Sequence, residues 1–289
     1  MNVWLLAARP KTLPAALAPV VIGTAMAWSA GAFHLWSAVA AGLGAILIQI
    51  GTNFANDYYD YTKGTDTEDR LGPLRVTSAG MVKPSTMKTA TIVVFALALL
   101  VGAYLVWRGG WPIVIIGLMS ILFGILYTAG PYPLGYNGLG DIFVLIFFGP
   151  VAVGGTYYVQ ALTVTWPAIV AGLGPGLLSV AILVVNNVRD LDNDRAAGKR
   201  TLAVSFGRNF SVVQYVFSVV SAMLVPVVLS VLLDDHYWSL LAIVAIVPAI
   251  PAMQSVARDR GRILNNTLAA TGRVLLIYSI LFAVGWVLV

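Results

Sequence analysis

A chain of 289 residues that is 59% hydrophobic and only 10% charged, with a mean hydropathy of +0.88, is not an ordinary soluble domain, where about a quarter of the residues carry charge. Its net charge of +5 is dispersed over short loops instead of gathered in a tract, which argues against nucleic acid as a partner, and the lack of cysteine excludes disulfides, thiolate chemistry and iron–sulfur ligation. The reading that remains is an all-α polytopic membrane protein.

A crossing needs roughly 20 apolar residues. On that criterion nine transmembrane helices fall at about 12–31, 35–56, 86–107, 111–128, 139–160, 166–188, 209–232, 237–256 and 266–288, expected to form one domain over 1–289. The first run, Thr12 to Phe33, is too long for a signal-peptide core and has no convincing cleavage site, so it reads as a retained span. The second span ends in Asn53-Phe54-Ala55-Asn56-Asp57-Tyr58-Tyr59-Asp60, where Asn56 and Asp60 lie four apart with Asn53 and Asp57 on the same side. The loop behind it carries Lys63, Asp66, Arg70, Arg75 and Lys83. The loop from Tyr127 to Asp141 holds Tyr127, Tyr132 and Tyr136 among glycines and prolines and no basic residue, which favours a cap over a pocket as much as a rigid turn.

From Ile142 to Val188 there are 47 residues without a charge, broken at Gln160 to Pro167 because the run is too long for one crossing. It ends in Asn186-Asn187-Val188-Arg189-Asp190-Leu191-Asp192-Asn193-Asp194-Arg195, then Gly198-Lys199-Arg200-Thr201. On a continuous helix Asn186, Asp190 and Asp194 would share one face, and converging carboxylates repel unless a cation lies between them. With the N-terminus inside, 16 of the 17 Lys and Arg residues fall on inner segments and Arg108 alone outside; seven of the eight tryptophans fall at outer ends. Both acidic clusters then open on the cytoplasmic side, and the C-terminus lies outside. Four spans separate the two clusters, which is consistent with helices 1–4 and 5–8 as a pseudo-repeat followed by helix 9. His34 and His236 have no metal-ligand spacing and read as interfacial loop residues.

Aspartate and asparagine without histidine or cysteine are hard oxygen ligands suited to Mg2+, which takes one or two carboxylates together with the phosphates of a substrate. Asp57 and Asp60 on one wall and Asp190 and Asp194 on the other are therefore the candidate metal and catalytic residues, bridging a diphosphate. Arg70, Arg75, Lys83, Arg189 and Lys199 are placed to neutralise phosphate charge. If the diphosphate is allylic, ionisation of its C–O bond needs no nucleophilic side chain, and the faces of Tyr58, Tyr59 and Tyr127 with the amide of Asn53 would hold the carbocation.

These clusters resemble the two aspartate-rich motifs of the UbiA superfamily of intramembrane aromatic prenyltransferases. The first motif of that family, Asn-Asp-x-x-Asp-x-x-x-Asp, stands here as Asn56-Asp57-x-x-Asp60-x-x-x-Gly64, with Asp66 two residues on as the substitute for its last ligand. The second, Asp-x-x-x-Asp, is complete as Asp190-x-x-x-Asp194. Arg9-Pro10-Lys11-Thr12, Gly72-Pro73-Leu74-Arg75 and the run from Arg189 to Leu202 are similar to the branch that prenylates 1,4-dihydroxy-2-naphthoate in menaquinone synthesis, as is Gly64 itself. The resemblance implies nine helices around a cavity in the bacterial cytoplasmic membrane, magnesium, a long-chain polyprenyl diphosphate donor and an aromatic acid acceptor. Prenylation would proceed with loss of carbon dioxide and diphosphate to give a demethylmenaquinone. Asn53, Asn56, Tyr127, Tyr132 and Asn186 join the substrate-binding set, and Arg9, Lys11 or Arg75 would meet the acceptor's carboxylate. The rival readings are a relative acting on 4-hydroxybenzoate, homogentisate or haem; a cation-coupled transporter, whose carboxylates would lie in mid-membrane; and a lipid-headgroup phosphotransferase, whose glycine and arginine spacing is missing here. The oligomeric state is not legible.

Overall fold

The computed structural model describes residues 2–64 and 71–288, so Asp66 and Arg70 lie outside the described residues. Among the described residues the chain is helical with no strand, and the nine expected segments are present. The first is α1 (Val3–Ala8) and α2 (Leu13–Ser29). Then follow α3 (Leu35–Thr62), α4 (Pro84–Gly109), α5 (Trp111–Leu126), a fifth made of α6 (Gly140–Phe147) and α7 (Pro150–Ala161), and α8 (Trp166–Arg189). After the short α9 (Leu191–Ala196) come α10 (Leu202–Leu233), an eighth that begins as a 3-10 helix at Tyr237–Ala245 and continues as α11 (Ile246–Arg258), and α12 (Leu264–Val287). Eight of these segments are long and apolar enough to span a bilayer; α5, at 16 residues, is shorter. At 1.5 Å per residue it covers about 24 Å of a hydrocarbon layer of about 30 Å. The protein is a multi-pass membrane protein.

Consecutive segments alternate in direction, so the C-terminal ends of α3 and α8 share one end of the bundle. Trp28, Trp36, Trp107, Trp111, Trp166, Trp238 and Trp286 collect at the other. The departures from the expected bounds have local causes. The helix α3 runs six residues past the expected end, to Thr62, so its acidic residues sit on its last two turns. The fifth segment is split at Gly149-Pro150: proline supplies no N–H and favours the first position of a new helix. A side chain at Gly149 would also drive into α8, meeting Gly172 O at 2.7 Å and Gly176 Cα at 3.1 Å. The first turn of α10 is offset from the rest at Gly207, whose φ of 83° only glycine adopts freely.

The main core lies among α2, α8, α10 and α12, where Ile22, Leu178, Ala181, Tyr215, Leu229, Leu275 and Phe282 are fully buried. Lipid tails are as apolar as these side chains, so water exclusion contributes little to helix association here, and close van der Waals contact over small residues dominates. The other half, α3 to α5 with α6 and α7, borders a cavity together with α2. A smaller cluster of Ala7, Phe54, Val76, Val82 and Met87 docks α1 and the segment after residue 71 against α3.

Candidate active site

On α3 the residues Asn53, Asn56, Asp57 and Asp60 follow the i, i+3, i+4, i+7 pattern and form one face. Each is tied to a different element. Asn53 is buried and donates to the carbonyl of Ala8 and to Thr12 Oγ1, both at 3.0 Å, which fastens the start of the first segment. Gln49, one turn back, donates weakly to Asn53 and Thr12 at 3.4 Å. Asn56 accepts from Thr128 Oγ1 at 2.8 Å. Asp57 is 1% exposed, and its two oxygens accept the backbone N–H groups of Val76 and Thr77 at 3.2 Å each. Asp60 is ion-paired with buried Arg75 and accepts from the hydroxyl of Tyr136.

The second motif is not one helix face. Asp190 is the C-cap of α8 and leaves helical geometry, and α9 restarts behind it, although the Asp194 N–H still reaches the Asp190 carbonyl at 2.7 Å. This corrects the expectation that Asn186, Asp190 and Asp194 stack along a continuous helix; the break turns Asp190 and Asp194 to different partners. Arg189 holds Asp190 through two bonds, at 2.9 and 2.6 Å, and reaches Asn265 at 2.8 Å. Asn265 in turn donates to the carbonyl of Leu71 at 2.9 Å, joining α8, α12 and the segment behind the first motif. Asp194 pairs with Lys199 at 3.0 Å, while Asp192 stays in solvent. Asn186 is half-buried in the last turn of α8.

The two motifs meet through the loop between α5 and α6. The hydroxyl of Tyr136 is on Asp60, its ring lies 4.7 Å from the Lys199 ammonium and 5.3 Å from that of Lys63, and its carbonyl accepts the N–H of Arg200 at 2.6 Å. Lys63 donates to the carbonyls of Thr128 and Gly130 at 2.7 and 3.0 Å; burial lowers its pKa, against the pull of Asp60. Tyr127 is seated on Gly135 and Gly140: a Cβ at Gly135 would stand 2.6 Å from its ring, and one at Gly140 would stand 2.9 Å from its hydroxyl. Burial pushes the Tyr127 phenol well above its ordinary value, and the charges of Asp141, Asp194 and Asp60 add to the shift. So the loop does cap a pocket, through Tyr127, while Tyr136 stands over the two motifs and Tyr132 is 61% exposed.

Below this cap runs a cavity of about 650 Å3. Its mouth is formed by Gln49, Thr52, Asn53, Asn56 and Tyr127, and its length by apolar side chains such as Leu99, Val106, Ile113, Phe123, Phe143 and Phe147. Sequence reasoning passed over Lys63 as a ligand-facing cation, Tyr136 as the link between motifs, and the buried pair Asp141 and Gln214, joined at 2.8 Å. Asp141 did carry a signal, as the last charge before the long uncharged run. Of the expected cations, Arg75, Arg189 and Lys199 are on the carboxylates. Arg9 is the left-handed joint between α1 and α2, and Lys11 and Lys83 are exposed, Lys83 at the N-cap of α4.

The donor set at this end of the bundle fits magnesium in kind, since it is made of carboxylate and amide oxygens without nitrogen or sulfur ligands. Among the described residues no three acidic or histidine groups converge on one point, because each carboxylate holds a cationic side chain or backbone N–H groups of its own. Ions seated here would therefore take few ligands from either wall and complete their shells with substrate oxygens, the habit of magnesium at diphosphates.

A model of the UbiA prenyltransferase family matches residues 16–280. The chain is 39% identical over 284 residues to a Mycobacterium tuberculosis protein named 1,4-dihydroxy-2-naphthoate octaprenyltransferase, covering 97% of this chain and 95% of that one. It is 44% identical over 210 residues to the Escherichia coli protein of the same name, covering 71% and 68%. Among solved structures, a UbiA homolog from Archaeoglobus fulgidus bound to GPP and Mg2+ superimposes with a TM-score of 0.69 over the full length of both chains at 16% identity. The apo structure of a UbiA homolog from Aeropyrum pernix K1 gives 0.72, over 96% and 98%, also at 16%. At that identity the likeness is one of fold.

Proposed function

This chain belongs to the UbiA prenyltransferase family and is a prenyltransferase, and from that premise we propose that it transfers a polyprenyl group from polyprenyl diphosphate to 1,4-dihydroxy-2-naphthoate, releasing carbon dioxide and diphosphate and giving a demethylmenaquinone. The observation that carries this reading is the pairing of a long apolar cavity with a polar mouth beside both acidic motifs. A prenyl chain fills the first and its diphosphate meets the second. The names of the relatives at 39% and 44% identity supply the acceptor.

Asp60, Asp190 and Asp194, with Asp57 and with Asp66 outside the described residues, would hold magnesium. When bound, magnesium neutralises the diphosphate and makes it a competent leaving group. The chain's own residues do the rest. Arg75, Arg189 and Lys199 let go of their carboxylates and turn to phosphate oxygens, joined by Lys83 and by Arg70, which lies outside the described residues. Tyr127 and Asn53, which line the mouth, present a ring face and an amide oxygen to the allylic carbon as its bond to oxygen breaks. The apolar wall excludes water, so the cation is captured by the naphthoate ring and not hydrolysed. Arg9 and Lys11, at the joint that Asn53 fastens, would meet the acceptor's carboxylate. The protein sits in the bacterial cytoplasmic membrane with its N-terminus and both motifs at the cytoplasmic face and its C-terminus outside, as the distribution of Lys and Arg supports.

The test is to incubate the purified protein with magnesium, a polyprenyl diphosphate and a panel of aromatic acids, and to look for prenylated product by mass spectrometry. Product from 1,4-dihydroxy-2-naphthoate that has lost its carboxyl group as carbon dioxide is the expected outcome; product only from 4-hydroxybenzoate or homogentisate would replace the acceptor and leave the family reaction standing.

A further inference from the structure

At the end of the bundle opposite the two motifs, a second cavity of about 570 Å3 opens between the ends of α2, α7, α10 and α12 and the start of α8. Small-molecule sites run to about 300–1,000 Å3. Its walls are mostly apolar, with Met26, Val164, Pro167 and Leu233 among them. An aromatic belt at a membrane interface accounts for Trp166, which is half exposed. It does not account for Tyr157 and Trp286. Tyr157 is 6% exposed and Trp286 4%, both line the cavity, and neither the phenol O–H nor the indole N–H has a hydrogen-bond partner among the described residues. Both atoms open on the cavity and are not sealed in protein. A nearly buried donor without a partner is costly, which marks a place where a bound molecule supplies the acceptor. Water would satisfy the donors but gains nothing from apolar and aromatic walls.

His236 adds the complementary group. Its ring stacks on Trp286 with centroids 4.0 Å apart and planes at 8°. Its Nδ1 lies 3.1 Å from the Trp286 carbonyl oxygen, so Nδ1 carries the proton and the neutral ring leaves Nε2 as an acceptor. Nε2 stands 4.0 Å from Asp235 Oδ2, beyond hydrogen-bond reach. The cavity thus offers two donors and one acceptor beside flat walls. No lysine or arginine among the described residues lines it, so a phosphate has no partner there.

We propose that this second cavity binds the ring of a prenylated naphthoquinol, the product of the reaction at the other end of the bundle. The choice of ligand rests on the proposed function: decarboxylative prenylation of 1,4-dihydroxy-2-naphthoate removes the carboxyl group and leaves both hydroxyls, so the product is released as a quinol. Its two oxygens accept from Tyr157 and Trp286, and one of its hydroxyls donates to His236 Nε2. The ring lies against Trp166, and Met26 and Leu233 meet the start of the prenyl chain. The oxidised quinone has the same shape but no hydroxyl to donate, so it forfeits the bond to His236. The two cavities share α2 and α7 but no lining residue, so donor and quinol bind without displacing one another.

The test uses the purified protein in detergent, without oxygen, with its first cavity filled by magnesium and a non-hydrolysable prenyl diphosphate analogue. The probe is a demethylmenaquinol with a single prenyl unit, titrated and counted by native mass spectrometry. Wild type is expected to bind one probe beside the analogue. Tyr157→Phe weakens that binding about 3–10-fold, the worth of one hydrogen bond. Leu233→Trp, which fills the cavity, removes it, while prenyl transfer by both variants stays within about two-fold of wild type. The quinone form of the probe binds wild type about 3–10-fold more weakly than the quinol, and His236→Phe, which keeps the stacked ring without Nε2, loses that preference. Binding unchanged in Tyr157→Phe and Leu233→Trp, equal binding of quinol and quinone by wild type, or displacement of the probe by added phosphatidylethanolamine would overturn the assignment, the last by making the cavity a lipid site. Failure of wild type to prenylate 1,4-dihydroxy-2-naphthoate is read in turnover, not in this titration, and would overturn the proposed function instead.

Discussion

Asp57 and Asp60 lie three residues apart on one helix face, yet the structure gives them different work, and Asp57→Asn separates the two. Asp57 is buried and receives two backbone N–H groups, one on each oxygen, from Val76 and Thr77. An asparagine keeps one acceptor and turns an NH2 group toward the other N–H, so one hydrogen bond to a charged group is lost and a buried donor is left facing a donor. A hydrogen bond to a charged partner contributes about 1.5–3 kcal/mol, and an orphaned buried donor costs about 1–3 kcal/mol. Taking the lower half of each range, docking of the segment behind the first motif weakens by about 3 kcal/mol, or about 100-fold in its opening equilibrium. Hydrogen exchange read by mass spectrometry on peptides covering residues 71–83 therefore speeds up by about two decades in the variant, while peptides from α8 and α12 keep their protection. Because Arg75 rides on that segment and pairs with Asp60, turnover falls as well, through a displaced partner. Unchanged exchange over 71–83 would refute this account of Asp57 as the anchor of that segment.

Asp60→Ala or Asp190→Ala is expected to abolish prenyl transfer in the mass-spectrometric assay while the variants still insert and elute as wild type by size exclusion. Gly117 and Gly102 line the cavity and a Cβ there meets nothing within 4 Å, so Gly117→Phe should shorten the donor that is accepted, read as KM rising with prenyl chain length. For Tyr127 the folded-state pKa is raised, so the stability contributed by the neutral phenol is present below its ordinary value of 10.0 and is lost as pH climbs above it. The melting temperature of wild type relative to Tyr127→Phe should therefore stay level from pH 8 to near 10 and drop above it, and a constant difference through pH 11 would count against it. Magnesium together with a non-hydrolysable prenyl diphosphate analogue should raise the melting temperature by more than the sum of the two alone, and chelation should stop turnover.

Much of this was legible in the chain because membranes simplify the code. Each run of about 20 apolar residues must be helical for its backbone to be satisfied, so the segments and their alternating directions followed from hydropathy, and with them the meeting of two motifs at one end. The oxygen chemistry of Asn56, Asp57, Asp60, Asp190 and Asp194 was equally plain. What escaped depends on backbone breaks and side-chain direction. The interruption at Asp190 is not encoded by a glycine or proline, so a four-residue spacing looked like a helix face. Tyr136 and Tyr132 stand in the same loop with the same chemistry, and only the fold turns one onto Asp60 and leaves the other in solvent. Asp141 looked like a boundary charge because nothing in its neighbourhood names Gln214, 73 positions away.

The pairing of carboxylates with cations also bears on the order in which the site fills. Four buried or half-buried aspartates at the mouth of an apolar bundle would repel one another strongly, since two like charges 4 Å apart cost about 4 kcal/mol at an effective dielectric of 20. Arg75 on Asp60, Arg189 on Asp190 and Lys199 on Asp194 remove that cost without any bound ion. The same pairs compete with a divalent ion, because a metal that takes a carboxylate leaves a buried guanidinium or ammonium without a counter-charge. A diphosphate resolves this: it gives the displaced cations a new anionic partner and supplies the metal's missing oxygen ligands. On the proposed function, metal and donor would therefore bind better together than apart, which is why the expected thermal shift is cooperative, and a bundle with neutralised carboxylates would hold its shape between turnovers instead of opening around bare charge.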